Sequence, residues 1–376
     1  MSEDRTGPDH RAGGRRRKPQ KRRRAVAVAA WTAAGVVVLG GAGLGYFYVK
    51  FNGNLKSVDL DAALGKDRPA DVDNGSLDIL VLGSDSRGGA NAEYGGDDGP
   101  PGPGGPGGAP SSARSDTAMI VHVYEGHEKA SVVSIPRDTL VTRPSCKTPS
   151  GKTDAGGPRR MFNESFTVGG APCAVKTVEQ MSGIRMDHYI EVDFTGFKEI
   201  IDKLGGVEVT TVKPIKDGAS HLDLPAGTHR LNGEQALGLV RTRKSVGDGS
   251  DLGRIQLQQA FIKALLKQVK GIGLFDNPKR LLDLADTATK AVTTDSKLGD
   301  VKSLMGFASG LSGIDSQDMQ MITLPVAGDT RDPNRVVPLQ KESALVWEAL
   351  RADRPIPAEA TEKSAGDKGT AGSVIR

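Results

Sequence analysis

Residue types that define several common active sites are scarce in this sequence. It contains two cysteines and six histidines in 376 residues, and none of them stand at the spacing of a zinc site. It has no Gly-x-x-x-x-Gly-Lys-Ser/Thr loop for a nucleotide phosphate, and no Ser/His/Asp or Cys/His order typical of a covalent hydrolase. These absences argue against zinc, P-loop and triad chemistry. His122 and His188 alternate within predicted strands and are interpreted as structural residues.

Positive charge is also scarce outside the N-terminus. Residues 1–24 hold ten Lys/Arg and three Asp/Glu, a net charge of +7, whereas the whole chain is +4, which leaves −3 for the remainder. A nucleic-acid-binding fold would carry its positive charge on the globular part, so the composition argues against one. We interpret residues 1–24 as a basic cytoplasmic tail, which is usually solvated; contact with nucleic acid or anionic lipid is the alternative.

Charge is absent altogether from residues 25–49. As a helix this run would be about 37 Å long, enough to cross a hydrocarbon core of about 30 Å. Tyr46, Phe47 and Tyr48 stand at its far end, where aromatic side chains favour the membrane interface. Three arginines at 22–24 keep the near end in the cytoplasm. We therefore expect an uncleaved, single-pass transmembrane helix with the main domain outside the cell membrane; a cleaved signal peptide is the alternative.

The exported part contains both cysteines. An even number there permits a disulfide between Cys146 and Cys173, with two free buried thiols as the alternative. We expect a stalk at 50–76, an extracytoplasmic domain at 77–351 and a disordered tail at 352–376. Within the domain we expect a disordered Gly/Pro-rich insertion at 88–113 and a C-terminal extension at 275–351.

Short apolar runs alternate with amphipathic stretches, which is typical of an α/β domain. Strands are predicted at 77–83, 118–123, 130–135, 188–192, 207–212 and 319–324, and helices at 174–181, 194–204, 251–269, 278–292, 298–309 and 342–351. If the run 237–240 is a strand, Arg241 and Arg243 share one face; a short helical patch that leads into residues 239–241 is the alternative. The predicted fold is a three-layer α/β/α domain with a central mixed sheet, preceded by one transmembrane helix.

Charged residues stand at the ends of these predicted elements. They are Asp85, Asp116, Arg137, Arg241 and Arg243, together with Arg254 and Gln258 on one face of the long helix. Ligands of open α/β folds bind outside strand ends and near helix N-termini, so we expect these residues to converge. Two carboxylates and four arginines suit a magnesium–pyrophosphate group, because Mg²⁺ takes carboxylate and phosphate oxygens and guanidinium groups bind phosphate with two parallel hydrogen bonds.

A series of motifs in fixed order also resembles a known family. The motifs are LVLGSDSR (80–87), RSDT (114–117), SIPRD (134–138), NE (163–164), HYIEVDFTGF (188–197), LGGV (204–207), LNGEQAL (231–237), VRTR (240–243) and DLGR with QQ (251–259). Their number and order make the sequence similar to the LytR-CpsA-Psr family of Gram-positive cell-wall enzymes. The resemblance covers about residues 77–269, and the basic tail with a single anchor is also like this family.

The resemblance implies a phosphotransferase outside the membrane. Such proteins move a glycopolymer from a polyprenyl-pyrophosphate carrier to the muramic acid 6-hydroxyl of peptidoglycan through a phosphodiester. Asp85 and Asp116 would then hold Mg²⁺, with Mn²⁺ as the alternative ion. The pyrophosphate would be bound by Arg137, Arg241, Arg243, Arg254 and Gln258, and the catalytic residues would be Arg137, Asp116 and Asp138, with either aspartate as the base.

One departure from the family stands at Leu257, where a second arginine is frequent. Either a phosphate contact is missing there, or this helix face is used for packing. Three other functions remain open. They are a non-catalytic or regulatory protein that binds lipid pyrophosphates in the wall, a transcription attenuator as the family's older naming suggests, and a polyprenyl-pyrophosphate pyrophosphatase. About 24 cytoplasmic residues are too few for a domain that reads nucleic acid.

Overall fold

The computed structural model describes residues 45–85, 114–242, 251–273 and 278–364. The chain divides into two compact units, Met1–Lys50 and Phe51–Arg376. Of the first unit, residues 45–50 are described, and they are helical. Among the described residues no helix is both long and apolar enough to cross a membrane. The predicted basic tail, the insertion at 88–113 and most of the predicted transmembrane helix lie outside the described residues.

A mixed seven-stranded sheet forms the centre of the second unit. In their order across the sheet, the strands are β1 (Lys56–Val58), β14 (Val292–Asp295), β9 (His188–Asp193), β2 (Leu77–Asp85), β3 (Arg114–Val123), β4 (Ala130–Ile135) and β15 (Met319–Thr323). β9 runs parallel to β2, and β2, β3 and β4 pair antiparallel in succession. The ends of β9, β2 and β4 therefore lie beside the start of β3 at one end of the sheet.

Helices and short strand pairs surround this sheet. The helices are α1 (Leu60–Leu64), α2 (Phe162–Ser182), α3 (Phe194–Lys203), α4 (Gly233–Arg241), α5 (Asp251–Gly271), α6 (Pro278–Ala291), α7 (Val301–Gly310) and α8 (Gln340–Arg351). The strand pairs are β5 (Leu140–Arg143) with β8 (Gly157–Met161), β6 (Cys146–Lys147) with β7 (Thr153–Asp154), β10 (Val207–Thr211) with β13 (Gly227–Leu231), β11 (Ile215–Asp217) with β12 (Leu222–Leu224), and β16 (Val326–Gly328) with β17 (Val336–Pro338).

Apolar side chains alternate between the two faces of the central strands, as a period of two requires. Leu80 and Leu82 of β2 lie in one core with side chains of α2 and α8. Ile79 and Val81 belong to a second core on the other face, to which Phe307 of α7 contributes. The central mixed sheet confirms the predicted α/β class, and helices cover both of its faces.

A third core lies between α5 and the pair of strands β10 and β13. Leu257 and Phe261 of α5 pack there with Ile201 of α3 and Val209 of β10, and all four are buried. The strand predicted at 207–212 thus forms, but it pairs with β13 outside the central sheet. The neighbouring side of α5, which carries Arg254 and Gln258, is turned toward the end of the sheet.

Three predicted boundaries differ from the structure. The expected stalk at 50–76 contains β1, an edge strand of the sheet, and the buried Leu60 and Leu64. The expected C-terminal extension supplies β14 and β15 to that sheet. In the expected disordered tail, residues up to 364 are described, and Ile356 and Ala360 are buried in the main core; residues 365–376 lie outside the described residues.

Cys146 and Cys173 are joined by a disulfide that ties β6 to α2. Helix α2 is kinked at Gly169 and Gly170, and Gly170 has a φ of +62°. A Cβ atom at Gly169 would lie 2.7 Å from the Cβ of Cys173 and 2.8 Å from the carbonyl oxygen of Lys147. The first glycine of the kink therefore allows the disulfide and the helix to approach each other.

Candidate active site

The end of β2 and the start of β3 bring two aspartates to neighbouring strands. Asp85 is the last residue of β2, and it pairs with Arg114. The register shifts between Gly83 and Ser84, which leaves Asp116 as the extra residue of a β-bulge. A bulge re-aims side chains at a sheet edge. The two predicted metal ligands thus lie at the same end of adjacent strands, as the sequence analysis expects.

Arg137 follows β4 and connects three carboxylates. Its Nη1 donates a hydrogen bond to Asp116 Oδ1 over 2.8 Å, and its Nε lies 3.5 Å from Asp138 Oδ2. Its backbone N–H donates to Asp251 Oδ2 over 3.2 Å. Burial alone would lower the pKa of Arg137, but the charges of the three carboxylates outweigh burial and raise this pKa above its ordinary value. The guanidinium is a permanent cation in the cluster.

Arg254 supports the bulge from the first turn of α5. Its side chain is buried, and its Nη2 donates a hydrogen bond to the carbonyl oxygen of Asp116 over 2.9 Å. A bulged residue has no regular ladder partner, and a buried carbonyl needs one. Arg254 also forms a close ion pair with Asp251. It therefore fixes the backbone that carries Asp116.

Gln258 lies one turn further along α5, on the same face as Arg254. Its Nε2 donates to Thr117 Oγ1 over 2.9 Å and to the carbonyl oxygen of Val240 over 3.0 Å. One side chain thus links the start of β3 to the last turn of α4. Since α4 ends at Arg241, Gln258 sets the position of that arginine relative to Asp116.

The residues before Arg241 form α4, so the strand interpretation of this run is wrong and the helical patch is confirmed. Asn232 begins the helix with a capping box, in which its side chain accepts from the N–H of Gln235 and the Gln235 side chain accepts in return. The expectation that Arg241 and Arg243 share one face depended on a strand, which does not form. Arg243 lies outside the described residues. The guanidinium carbon of Arg241 lies 5.0 Å from the ring centre of Phe194, in cation–π contact.

Buried polar atoms without a hydrogen-bond partner are concentrated in this region. Among the described residues these atoms are Ser84 Oγ, Arg137 Nε, Arg143 Nε, Asn163 Oδ1, Asp251 Oδ1 and Arg254 Nε. All but Arg143 belong to the site or touch it, since the backbone N–H of Asn163 donates to the carbonyl of Arg137 over 3.2 Å. An unmade buried hydrogen bond costs about 1–3 kcal/mol. Of these atoms, Asn163 Oδ1 and Asp251 Oδ1 are acceptors, whereas the Nε–H groups of Arg137 and Arg254 are donors that a ligand oxygen would satisfy.

The donor set suits a hard cation. In the described part of the chain, no group of three or more His, Cys, Asp or Glu side chains could hold a metal ion. The predicted set has two carboxylates, Asp85 and Asp116, on paired strands. Mg²⁺ commonly takes one or two carboxylates and completes its shell with phosphate and water oxygens, and two aspartates are residue types of the kind that this ion prefers.

Two residues of the cluster were not predicted as site residues. Asp251 is the first residue of α5 and stands three residues before Arg254, hence on the same face of the helix. Arg335 lies in the loop between β16 and β17, and its Nη1 is 3.8 Å from Asp138 Oδ1. The spacing could have indicated Asp251, whereas no sequence pattern indicates Arg335.

The model of the LytR_cpsA_psr family matches residues 47–352. The chain belongs to this family. The cell wall biosynthesis protein LcpA of Corynebacterium glutamicum is 28% identical over 354 residues, which are 89% of this chain and 67% of LcpA. The polyisoprenyl-teichoic acid–peptidoglycan teichoic acid transferase TagT of Bacillus subtilis is 31% identical over 295 residues, 75% of this chain and 80% of TagT.

A solved structure shows the same fold. The LytR-Csp2A-Psr enzyme from Actinomyces oris superposes with a TM-score of 0.56 at 23% identity, covering 79% of this chain and 96% of that one. In this LytR-CpsA-Psr chain Leu257 is fully buried in the third core. This burial confirms that the helix face at Leu257 is used for packing. At that position α5 offers no second arginine to the site.

Proposed function

We propose that this chain is a phosphotransferase that moves a glycopolymer from a polyprenyl-pyrophosphate carrier to the muramic acid 6-hydroxyl of peptidoglycan. The observation that carries the proposal is the Asp116–Arg137 pair at the strand ends, beside the unpartnered buried Nε atoms of Arg137 and Arg254. The name of the relative TagT, a transferase of teichoic acid to peptidoglycan, supports a reaction in cell-wall assembly.

The arginines divide into two groups in this proposal. Arg137, Arg241 and Arg243 bind the pyrophosphate, because each guanidinium presents a planar fork of donors to phosphate oxygens. Arg254 and Gln258 help to bind the pyrophosphate, with the Arg254 Nε–H as a donor, and they also hold the bulge at Asp116 and the end of α4. Mg²⁺, or Mn²⁺ as the alternative, would be held by Asp85 and Asp116 and would neutralise charge on the phosphate oxygens.

The reaction forms one phosphorus–oxygen bond and breaks another. The acceptor hydroxyl attacks the phosphorus that is bonded to the sugar, and polyprenyl phosphate leaves with the bridging oxygen. Arginine side chains stabilise the charge that grows on the leaving phosphate. Asp138 accepts the hydroxyl proton, because Asp116 is assigned to the metal ion and its Oδ1 already accepts a hydrogen bond from Arg137 Nη1 over 2.8 Å.

The proposal also includes the location of the enzyme. The basic tail remains in the cytoplasm, the uncharged run at 25–49 crosses the cell membrane once, and the catalytic domain lies outside. The acceptor peptidoglycan and the pyrophosphate of a lipid carrier in the outer leaflet would then both be within its reach. The partners of this reaction are the lipid-linked glycopolymer, peptidoglycan and the membrane, with no nucleic acid.

The experiment is turnover of a synthetic polyprenyl-pyrophosphate-linked saccharide by the full chain with Mg²⁺ and purified peptidoglycan. We expect polyprenyl phosphate to be released in equal amount to saccharide phosphate bound to peptidoglycan. Arg137→Gln should lower the rate about 100- to 1,000-fold, as removal of a charge-stabilising donor does. Arg230→Gln, on the exposed surface of β13, is the matched control and should retain the rate.

Two other outcomes would replace this proposal. Release of saccharide phosphate into water at the same rate with or without peptidoglycan would show a pyrophosphatase. Stable retention of the lipid without Mg²⁺-dependent turnover would show a binding or regulatory protein.

A further inference from the structure

An open groove of about 260 Å³ lies beside the candidate site. Its charged lining consists of Arg159 and Arg160 of β8, Glu164 of α2, and Asp332 and Arg335 of the loop before β17. This volume is below the roughly 300 Å³ at which pockets for drug-sized ligands begin. It suits one saccharide unit.

A row of alternating charges connects the groove to the site. Asp116 contacts the Nη1 of Arg137 at 2.8 Å, and Asp138 lies 3.5 Å from the Nε of the same guanidinium. Arg335 follows, with its Nη1 3.8 Å from Asp138. Asp116 and Asp138 therefore face different ends of one guanidinium, and the groove begins on the side of Asp138.

One wall of the groove is held rigidly. Arg159 has a φ of +55°, a conformation that costs a residue with a side chain and persists only where its surroundings fix it. Its Nη1 and Nη2 donate to the two carboxylate oxygens of Asp329 over 3.2 and 2.7 Å. Asp329 Oδ2 also accepts from the backbone N–H of Asp332 over 3.0 Å. β8 and the loop that carries Arg335 are thereby joined.

The remaining charged groups face the open groove. Arg160 is exposed, and the side chain of Arg335 is 30% exposed. Glu164 and Asp332 line the same space, with side chains 38% and 43% exposed. Arginine forks bind carboxylates with two hydrogen bonds, and carboxylates accept hydrogen bonds from sugar hydroxyl and amide groups. This combination suits a saccharide whose attached group carries a carboxylate.

We propose that this groove is the acceptor subsite, in which Arg160 and Arg335 bind a free carboxylate of the peptide that is attached to the acceptor saccharide of peptidoglycan. In phosphoryl transfer the attacking and leaving oxygens lie roughly in line on opposite sides of phosphorus. The metal and pyrophosphate ligands gather around Asp116 and Arg254, and the groove opens beyond Asp138, the assigned base. The inference rests on the proposed function, because it assigns one of the two substrates of that reaction.

The test compares the full chain with its Arg160→Gln and Arg335→Gln variants. The donor is a synthetic polyprenyl-pyrophosphate-linked saccharide, and the acceptor is a soluble fragment of alternating N-acetylglucosamine and N-acetylmuramoyl peptide. Each variant should raise the KM for the acceptor about tenfold and change the KM for the donor less than twofold. With an acceptor whose peptide carboxylates are all amidated, the difference between wild type and Arg160→Gln should disappear. Arg230→Gln is the control and should match wild type.

A second measurement separates this inference from the proposed function. Calorimetric titration of the soluble acceptor fragment into the full chain, with no donor present, should give a Kd about tenfold weaker for Arg160→Gln than for Arg230→Gln. An equal Kd would overturn the acceptor subsite even if wild type transfers polymer. An increase in the donor KM alone would assign the groove to the donor glycan and also overturn it. Absence of turnover together with the expected difference in Kd would contradict the proposed reaction and leave the acceptor groove supported.

Discussion

Arg137 Nη1 donates a hydrogen bond to Asp116 Oδ1, and this contact joins the end of β4 to the bulge at the start of β3. The two residues are 21 positions apart in the chain, and the pairing of β3 with β4 brings them together. Arg254 holds the same bulge through the carbonyl of Asp116. The candidate site is therefore built on backbone positions that the central sheet and α5 fix jointly.

Arg137→Lys should show whether the planar shape of the Arg137 guanidinium matters for transfer in addition to its positive charge. Lysine keeps the positive charge, but it lacks the planar fork that binds two phosphate oxygens at once. We expect kcat/KM for transfer to fall at least about tenfold, since one lost bidentate contact corresponds to roughly 1.4 kcal/mol or more. The measurement is steady-state transfer with the lipid-linked donor. Equal kcat/KM for the lysine variant would mean that Arg137 serves only as a charge.

Gln258→Leu should destabilise the fold at the junction of β3 and α4. The variant leaves the buried carbonyl of Val240 and the hydroxyl of Thr117 without the amide donor. The expected decrease in unfolding free energy is about 1–3 kcal/mol, measured by urea denaturation. Lys267→Gln, at an exposed position of the same helix, should change it by less than about 0.5 kcal/mol. A Gln258→Leu variant as stable as that control would show that these hydrogen bonds are dispensable.

Leu257→Arg restores the residue that is frequent in the family, and we expect it to harm the protein. Leu257 is fully buried among Ile201, Val209 and Phe261, so the new guanidinium would lie uncompensated in an apolar core. The expected loss of unfolding free energy is about 3–5 kcal/mol, whereas Leu257→Met should cost less than about 1.5 kcal/mol. Urea denaturation of both variants provides the comparison. Increased transfer without lost stability in the arginine variant would contradict the packing role.

His122 should make stability depend on pH. Its Nδ1 and Nε2 lie 2.9 Å from carboxylate oxygens of Asp78 and Asp353. Burial alone would lower the pKa of His122, but these two carboxylates raise it above 6.5. Because the folded-state pKa exceeds the unfolded one, this stabilisation is complete below about pH 6.5 and is lost as the pH rises through the folded-state pKa. Urea denaturation across this range should show the decline in wild type and a flatter profile in His122→Gln. Equal slopes would exclude His122 as the source.

Loss of the disulfide should weaken the region around α2. The two cysteines are 27 positions apart, and a loop of that length corresponds to roughly 3–4 kcal/mol of unfolded-state entropy. Cys146→Ser with Cys173→Ser should lower the unfolding free energy by about that amount. Reductant should destabilise wild type and leave the double variant unchanged. Insensitivity of wild type to a reductant that is shown to open the bond would contradict this role.

Continuous apolar patterns were the most informative part of the sequence. The predicted strand at 130–135 coincides with β4, in which all six residues are buried. The run at 237–240 is too short to distinguish a strand from a helix turn. The capping box at Asn232 favours the helix that the structure shows. β1 has three residues without a clear pattern, and it exists because β14 offers a partner edge.

The site was predictable to the extent that its residues stand at the ends of recognisable elements. Asp116, Arg137 and Arg254 meet as expected because neighbouring strands and the N-terminus of α5 share one end of the sheet. The actual role of Gln258 depends on the approach of α4 to β3, which is a tertiary contact without local signature. Arg335 reaches Asp138 from a loop almost 200 positions away, and only packing could reveal it.

Position-specific labelling of the donor tests the central claim most directly. A polyprenyl-pyrophosphate-linked saccharide is synthesised with ³²P only in the phosphorus bonded to the sugar, and it is incubated with the full chain, Mg²⁺ and peptidoglycan. The account predicts that the label becomes covalently bound to peptidoglycan in a phosphodiester, and that this transfer is lost in Arg137→Gln. Label that leaves with the polyprenyl phosphate, or that is released as free saccharide phosphate while the peptidoglycan remains unlabelled, would contradict it.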